Sequence, residues 1–313
     1  MALDLRPYQP GDEDAILSLF AASFGREMGR DYWIWRFRDN PLGGPWIELA
    51  WDGDRLAAHY AVSPAELLVG GERKKTALSM TTMTHPDYRG QDLFGRLADQ
   101  LYGRLAAAGF AAVWGFPNRY SHRLFLRRLE WADIGEIATL ALDPAALRAP
   151  PAAGYRLEDL AEPPSSLDAL AAAEGVDAIR LSRRAPLMAW RLFDPSAGDY
   201  SCHLVHGDAG VRGFLATKPY GPDALDIVDL VAADAEALAA AIALVASRAA
   251  ARGIRRLNCW MSLHHPLRPE MERLGFVPRE PVTMLGARWF GEASGDPFDL
   301  RSWRLPMIAS DVF

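Results

Sequence analysis

The chain has 313 residues, half of them apolar, which suits two globular domains of roughly 100–200 residues each. Its 34 Lys and Arg against 40 Asp and Glu give a net charge of −6, which argues against a broad nucleic-acid surface, usually basic. Two cysteines, Cys202 and Cys259, are too few for a disulfide framework and fit a reducing cytoplasm. Asp4, Arg6 and Asp12 at the start do not read as a secretory signal. The most apolar helical stretch, residues 237–246, is too short to span a bilayer, so no membrane partner is expected.

In chain order, residues 3–6 read as a strand, and Ala15, Ile16, Leu19 and Phe20 have the spacing of an amphipathic helix. Residues 32–37, Tyr32-Trp33-Ile34-Trp35-Arg36-Phe37, form an aromatic helical stretch. Residues 46–51 and 55–62 read as a hairpin across Asp52-Gly53-Asp54, and Gly70-Gly71 marks a second hairpin turn. The uncharged residues 77–83 read as a strand. A helix follows as far as Ala108, then a short buried strand at 111–116 and a helix over 120–129. Residues 144–154, rich in Pro and Ala, read as a linker.

The chain also resembles itself. Trp35-Arg36-Phe37 recurs as Trp190-Arg191-Leu192, and Pro64 lines up with Pro219. The run from Arg104 to Gly109 recurs from Arg248 to Gly253, and Leu129-Glu130-Trp131 as Leu274-Gly275-Phe276. The matches keep their order and nearly constant spacing, so two copies of one α/β unit are expected. The second copy has lost the Gly70-Gly71 hairpin. Its counterpart of the loop after residue 83 carries Asp234 and Glu236 and has no Arg or Gly. Acids at a helix start suit the helix dipole but repel phosphate, so copy two is expected to be degenerate.

The loop Thr84-His85-Pro86-Asp87-Tyr88-Arg89-Gly90-Gln91-Asp92-Leu93-Phe94-Gly95 joins a strand to a helix. Free N–H groups at a helix start, with Arg and Gly before it, make an anion-binding geometry. This loop resembles the acyl-CoA pyrophosphate loop of the GNAT N-acetyltransferases, whose pattern is Arg or Gln, two residues, Gly, one residue, Gly or Ala. Arg89 fills the first position, while Asp92 and Phe94 stand at the two small positions. Asp92 either faces the pyrophosphate, at a cost of about 3 kcal/mol at an effective dielectric near 20, or turns away as the helix cap. Asn118 either serves the pantetheine arm, in a segment that also resembles the family, or caps the next helix.

The resemblance implies an α/β (α+β) fold of two tandem GNAT-like domains, each a mixed, mostly antiparallel sheet flanked by helices. The expected limits are 1–143, a linker at 144–154, a degenerate copy at 155–291 and a tail at 292–313 that packs back on the protein. It implies an acyltransferase using acetyl-CoA or another acyl-CoA, with no metal, acting on a small-molecule amine. Cofactor contacts are expected from Thr82, Met83, Thr84, Arg89, Gly90, Gln91, Asp92, Leu93, Phe94, Gly95, Asn118 and Ser121. The tyrosine that many family members place on the helix after Asn118 is missing, since Phe125 or Leu126 falls there. Tyr120 is the substitute candidate for the acid. Tyr32 and Trp33, which copy two does not repeat, are candidates for an acceptor pocket. The apolar end of the chain should be docked, which makes the carboxylates of Asp311 and Phe313 candidates for taking the amine's proton. The alternatives are a GNAT-fold binding or assembly protein without turnover, and an aminoacyl transferase resembling the FemABX group.

Overall fold

The computed structural model describes residues 3–150, 152–165, 167–175, 177–292 and 295–313. Pro151 of the expected linker and Ala293 and Ser294 of the expected tail lie outside them. The chain forms β1 (Asp4–Pro7), α1 (Glu13–Phe24), α2 (Arg30–Trp33), β2 (Trp46–Asp52), β3 (Arg55–Val69), β4 (Glu72–Thr84), α3 (Leu93–Ala107), β5 (Ala112–Gly115), α4 (His122–Arg128) and β6 (Ala132–Leu142). It continues with β7 (Arg156–Leu160), β8 (Ile179–Leu181), α5 (Ala185–Met188), β9 (Ser201–Gly207), β10 (Gly210–Tyr220), β11 (Ala224–Ala232), α6 (Ala235–Ala251), β12 (Arg256–Trp260), α7 (Arg268–Arg273), β13 (Val277–Trp289) and β14 (Trp303–Arg304). Among the described residues, no helix is long and apolar enough to cross a membrane.

Two compact units result. Unit 1 comprises Met1–Glu66, Lys74–Asp133 and Leu285–Ala293, and unit 2 comprises Leu67–Arg73, Ile134–Met284 and Ser294–Phe313. The division is not a single cut near residue 143, because strand pairing ignores sequence distance. In unit 1, β5 is flanked by the end of β13, with Gly115 opposite Gly286 and Ala112 opposite Trp289. In unit 2, β12 is flanked by β6, with Leu257 opposite Leu142 and Trp260 opposite Thr139. Each sheet is thus completed by the strand that follows the other unit's last helix. Both sheets are mixed and mostly antiparallel, as expected, with parallel pairs at β4–β5 and β11–β12. The Gly70-Gly71 turn ends the same hairpin that Arg55 begins, because β3 runs unbroken through Pro64. Unit 2 keeps this hairpin in shorter form, as β10 and β11, so it is not lost.

Unit 1 buries one core on each face of its sheet. Leu93, Leu97, Leu101, Tyr102 and Leu105 of α3 recur at helical spacing and pack on Ala77, Val113 and Trp131. Each fully buried Leu contributes about 1.5–3 kcal/mol. The opposite face packs Ile16, Leu19, Phe20, Trp33 and Phe37 on Ile47, Leu49, Met80 and Met83. Met80 and Met83 are three residues apart on one strand, so regular alternation would send them to opposite faces. They share a core because β4 is bulged between them: Thr81 has φ 51. That conformation is uncommon outside glycine and strained for a β-branched residue. His59 on β3 holds the bulge, its Nδ1 lying 2.8 Å from Thr81 O. A carbonyl only accepts, so Nδ1 carries the proton. His59 has no exposed surface, and burial pulls its pKa down to about 4.

Unit 2 has an Ala-rich helix, α6, over β10–β12, and a buried ionic cluster. Arg183 donates through Nε and Nη2 to Asp229, at 3.0 and 2.8 Å, and through Nη1 to Glu174 at 3.4 Å. Burial opposes the Glu174 carboxylate, but the charge of Arg183, followed by His265 and Arg180, outweighs it and holds its pKa below the usual value. Both units contain a short helix that ends in a π-helical turn, Ile34–Arg38 after α2 and Ala189–Phe193 after α5. Both turns carry the repeated Trp-Arg pair.

Arg183→Met should cost about 3–5 kcal/mol in denaturant unfolding, because it takes the guanidinium away from two buried carboxylates and leaves Glu174 only His265 and Arg180. The triple change Arg183→Met, Asp229→Asn, Glu174→Gln should recover most of that loss. A loss under about 1 kcal/mol would show that the cluster is not buried as described. His59 has a folded pKa below its unfolded one, so the unfolded chain binds more protons between about pH 4 and 6.5 and stability rises with pH there. Unfolding free energies at pH 7 and pH 4 should therefore differ by about 3 kcal/mol more in the wild type than in His59→Asn. An equal pH dependence in the two proteins would contradict a buried, neutral His59.

Candidate active site

The sequence-predicted loop lies in unit 1 between β4 and α3. Two clamps fix its first half. Tyr88 donates to Asp52 Oδ2 at 2.7 Å, and Arg55 donates to Asp87 at 2.7 Å while lying over the Tyr88 ring. The second half turns through Gly90 at φ +82, and a Cβ there would meet nothing within 4 Å. Arg89, Gly90 and Gln91 are exposed, while Leu93 is buried in the core and offers only its backbone. The first N–H of α3 with a partner is that of Arg96, bonded to Asp92 O at 3.0 Å. The N–H groups ahead of it, from Gly90 to Gly95, find no acceptor among the described residues. Such an uncapped helix start favours an anion through both its free donors and its dipole. Arg89 and Arg96 are exposed and make no ion pair among the described residues, so the free charge there is positive.

Of its two expected roles, Asp92 does not take that of side-chain cap. It begins α3 at φ 51 without a side-chain cap. Its carboxylate is held by Arg128 of α4, whose Nε donates at 2.8 and 3.0 Å. Arg128 also donates to Asp99 at 2.8 Å. The two acids raise the Arg128 pKa further, so the guanidinium stays charged. It lies so close to the first turn of α3 that a Cβ at Gly95 would come within 2.2 Å of Nε. A side chain at position 95 would therefore displace the guanidinium from this place. Phe94, at the other small position, fills its place with a ring against Tyr60 and Phe125, at centroid distances of 5.4 and 5.2 Å.

Beyond the loop, β4 and β5 pair only through Ala77 with Val113 and Leu78 with Trp114. Their ladder then ends, at the level of Ser79 and Gly115. Thr82, Met83 and Thr84 continue β4 past the bulge, Met83 buried and the other two partly so. Asn118 holds the turn ahead of α4: its Oδ1 accepts the N–H groups of Tyr120 and Ser121 at 2.9 and 3.0 Å, while α4 itself starts from Ser121 without a side-chain cap. Tyr120 is 79 % exposed, and its hydroxyl accepts from Arg119 Nη2 at 2.6 Å. Phe125 is core, so α4 offers no hydroxyl there. Trp33 has no exposed surface and packs on Tyr8 and Phe37, which removes it from any acceptor pocket. Tyr32 is half-buried against Trp35.

Sequence reasoning missed a chain of hydroxyls that starts under α4. Trp131 Nε1 donates to Tyr102 at 2.9 Å, Tyr102 and Tyr60 share a 2.7 Å bond, and Tyr60 lies 3.0 Å from Ser79 Oγ. Burial raises the pKa of both phenols, so both keep their protons. The predicted tail residues belong to unit 2. There Phe313 stacks edge-on against Trp260, and Arg191 donates to the backbone oxygens of Ser310 and Phe313. In the same unit the start of α6 differs from that of α3. Asp234 accepts from Ala237 N at 2.9 Å and pairs with Arg212, so this helix is closed by its own acid.

Residues 4–133 match the Acetyltransferase (GNAT) domain family, which spans the β4–loop–α3 segment. Among solved structures, the chain is similar to a GCN5-related N-acetyltransferase from Anabaena variabilis, with TM-score 0.74, 13 % identity, and coverage of 93 % of this chain and 73 % of that one. A GCN5-related N-acetyltransferase from Kribbella flavida gives TM-score 0.70, 20 % identity and coverages of 92 % and 71 %. A conserved protein from Enterococcus faecalis described as a probable N-acyltransferase gives 0.71, 12 %, 93 % and 73 %. No curated protein matches. Residues 4–133 thus match the GNAT acetyltransferase domain family, and the chain shares the fold of these GCN5-related structures.

Proposed function

We propose that this protein is an acyl-CoA-dependent acyltransferase that moves an acetyl group to the amine of a small molecule. We further propose that it is a tandem of two GNAT-like copies, of which only the first binds the cofactor. The observation that carries this reading is the open start of α3, set behind an Arg-Gly loop and a bulged strand, within the residues that match the family. The residues fit the group. The free N–H groups of 90–95 suit a pyrophosphate, and Arg89 and Arg96 supply unpaired positive charge. The Asn118 amide still has its NH2 to offer a pantetheine arm.

Bound acyl-CoA would supply an activated thioester. The N–H groups of the bulged segment, near Thr82, Met83 and Thr84, would polarise its carbonyl. Tyr32 would border the acceptor, and Tyr120 is the candidate acid. A second reading, a GNAT-fold binding protein without turnover, is favoured by the exposure of Tyr120 and by Phe94 at a small position. Acetyl-CoA binding without acyl transfer to any of a panel of small amines would support it.

Calorimetry should find one acetyl-CoA site per chain. Arg89→Glu should weaken it at least tenfold, about 1.4 kcal/mol, whereas Asp234→Ala should leave it unchanged. Binding that survives Arg89→Glu would sink the assignment. Asp92→Asn keeps a residue that tolerates positive φ and removes one negative charge beside the helix start. It should tighten acetyl-CoA several-fold at low salt, about 1 kcal/mol, with the gain shrinking as salt rises. Unchanged affinity would mean that Arg128 already cancels the Asp92 charge.

A further inference from the structure

The chain Trp131–Tyr102–Tyr60–Ser79 has a direction. An indole N–H can only donate, so Tyr102 accepts from Trp131 and its own proton is left for the 2.7 Å bond to Tyr60. Tyr60 then donates to Ser79 Oγ at 3.0 Å. The reverse order would give Tyr102 two donors and leave its proton without an acceptor in a fully buried place. In the satisfied order every proton points one way, and the last one, on Ser79 Oγ, is free to leave the chain.

Ser79 is only partly buried, while Tyr60 and Tyr102 behind it are buried. It stands where the β4–β5 ladder ends, opposite Gly115. A Cβ at Gly115 would lie 3.1 Å from Ser79 O and 3.6 Å from its Cβ, so the absence of a side chain there keeps this end of the ladder clear. Ser79 is also two residues before the Thr81 bulge, on the α3 side of the sheet with Ala77. Phe125 stands on α4 where the family resemblance puts a phenol, and its ring is core.

We infer that Ser79 is a catalytic residue, the donor that stabilises the sulfur of the departing CoA thiolate, and that Tyr60, Tyr102 and Trp131 are its positioning residues. The inference rests on the cofactor reading above. The acceptor nitrogen bonds to the acyl carbon, the carbon–sulfur bond breaks, and its electron pair goes to sulfur. Ser79 donates a hydrogen bond to that charge and keeps its proton, because a thiolate is a far weaker base than the alkoxide Ser79 would become. The amine's proton goes to a base, and the thiolate takes its proton afterwards, from the candidate acid Tyr120 or from solvent. A hydrogen bond to a charged acceptor is the strong kind, and the preceding donors strengthen it by polarising the chain.

The test compares free CoA with desulfo-CoA by calorimetry over a rising pH series, so that the CoA thiol ionises within it. The wild type should prefer CoA about tenfold. Ser79→Ala should bind the two alike, with a lowered kcat at constant acetyl-CoA KM. Ser79→Thr, which keeps the hydroxyl, should restore the preference. Tyr60→Phe should lose part of it and also some stability. A wild type that binds neither ligand would overturn the cofactor reading, and this inference with it. A wild type that prefers CoA while Ser79→Ala keeps the same preference would overturn the inference alone.

Discussion

Helix α3 begins without a cap, and the chemistry argued for unit 1 depends on that vacancy of acceptors. Six consecutive N–H groups, from Gly90 to Gly95, have no partner among the described residues. A helix start can be closed by its own side chain at little cost, as Asp234 closes α6. Asp92 occupies the corresponding place on α3 and does not do so, because Arg128 holds its carboxylate to one side. The ion pair thus keeps open what the acid would otherwise close. The guanidinium lies where a side chain at Gly95 would otherwise reach.

Two further constraints shape the strand behind the loop. The Thr81 bulge re-aims the backbone of β4 and puts Met80 and Met83 into one core. A β-branched residue would not adopt that conformation without support, and the buried imidazole of His59 supplies it through one hydrogen bond. On the other face, Tyr60 and Tyr102 carry a hydrogen-bond chain from Trp131 to Ser79. Bulge and chain meet within three residues of β4, at the point where β4 and β5 part.

Much of this was legible in the sequence because it is local. The Arg-Gly loop between an uncharged strand and a periodic helix announces an anion site, and the contrast with Asp234 and Glu236 separates the two units. The acid at 92 was conspicuous, but its partner Arg128 is distant in sequence and no spacing points to it. The bulge was hidden because Ser, Thr and Met suit either phase of a strand. Trp33 looked like a pocket residue because it is not repeated, yet lack of a repeat does not separate core from surface. The sheets were the least legible part, since β6 and the end of β13 each complete a unit far from their neighbours in the chain.

The central claim is that the cofactor binds along β4, the loop and α3 of unit 1 and not at the equivalent place in unit 2. Hydrogen–deuterium exchange with and without saturating acetyl-CoA tests it directly. Protection is expected in residues 81–96 and 115–121, with residues 226–238 unchanged. Protection confined to 226–238, or absent from 81–96, would contradict it.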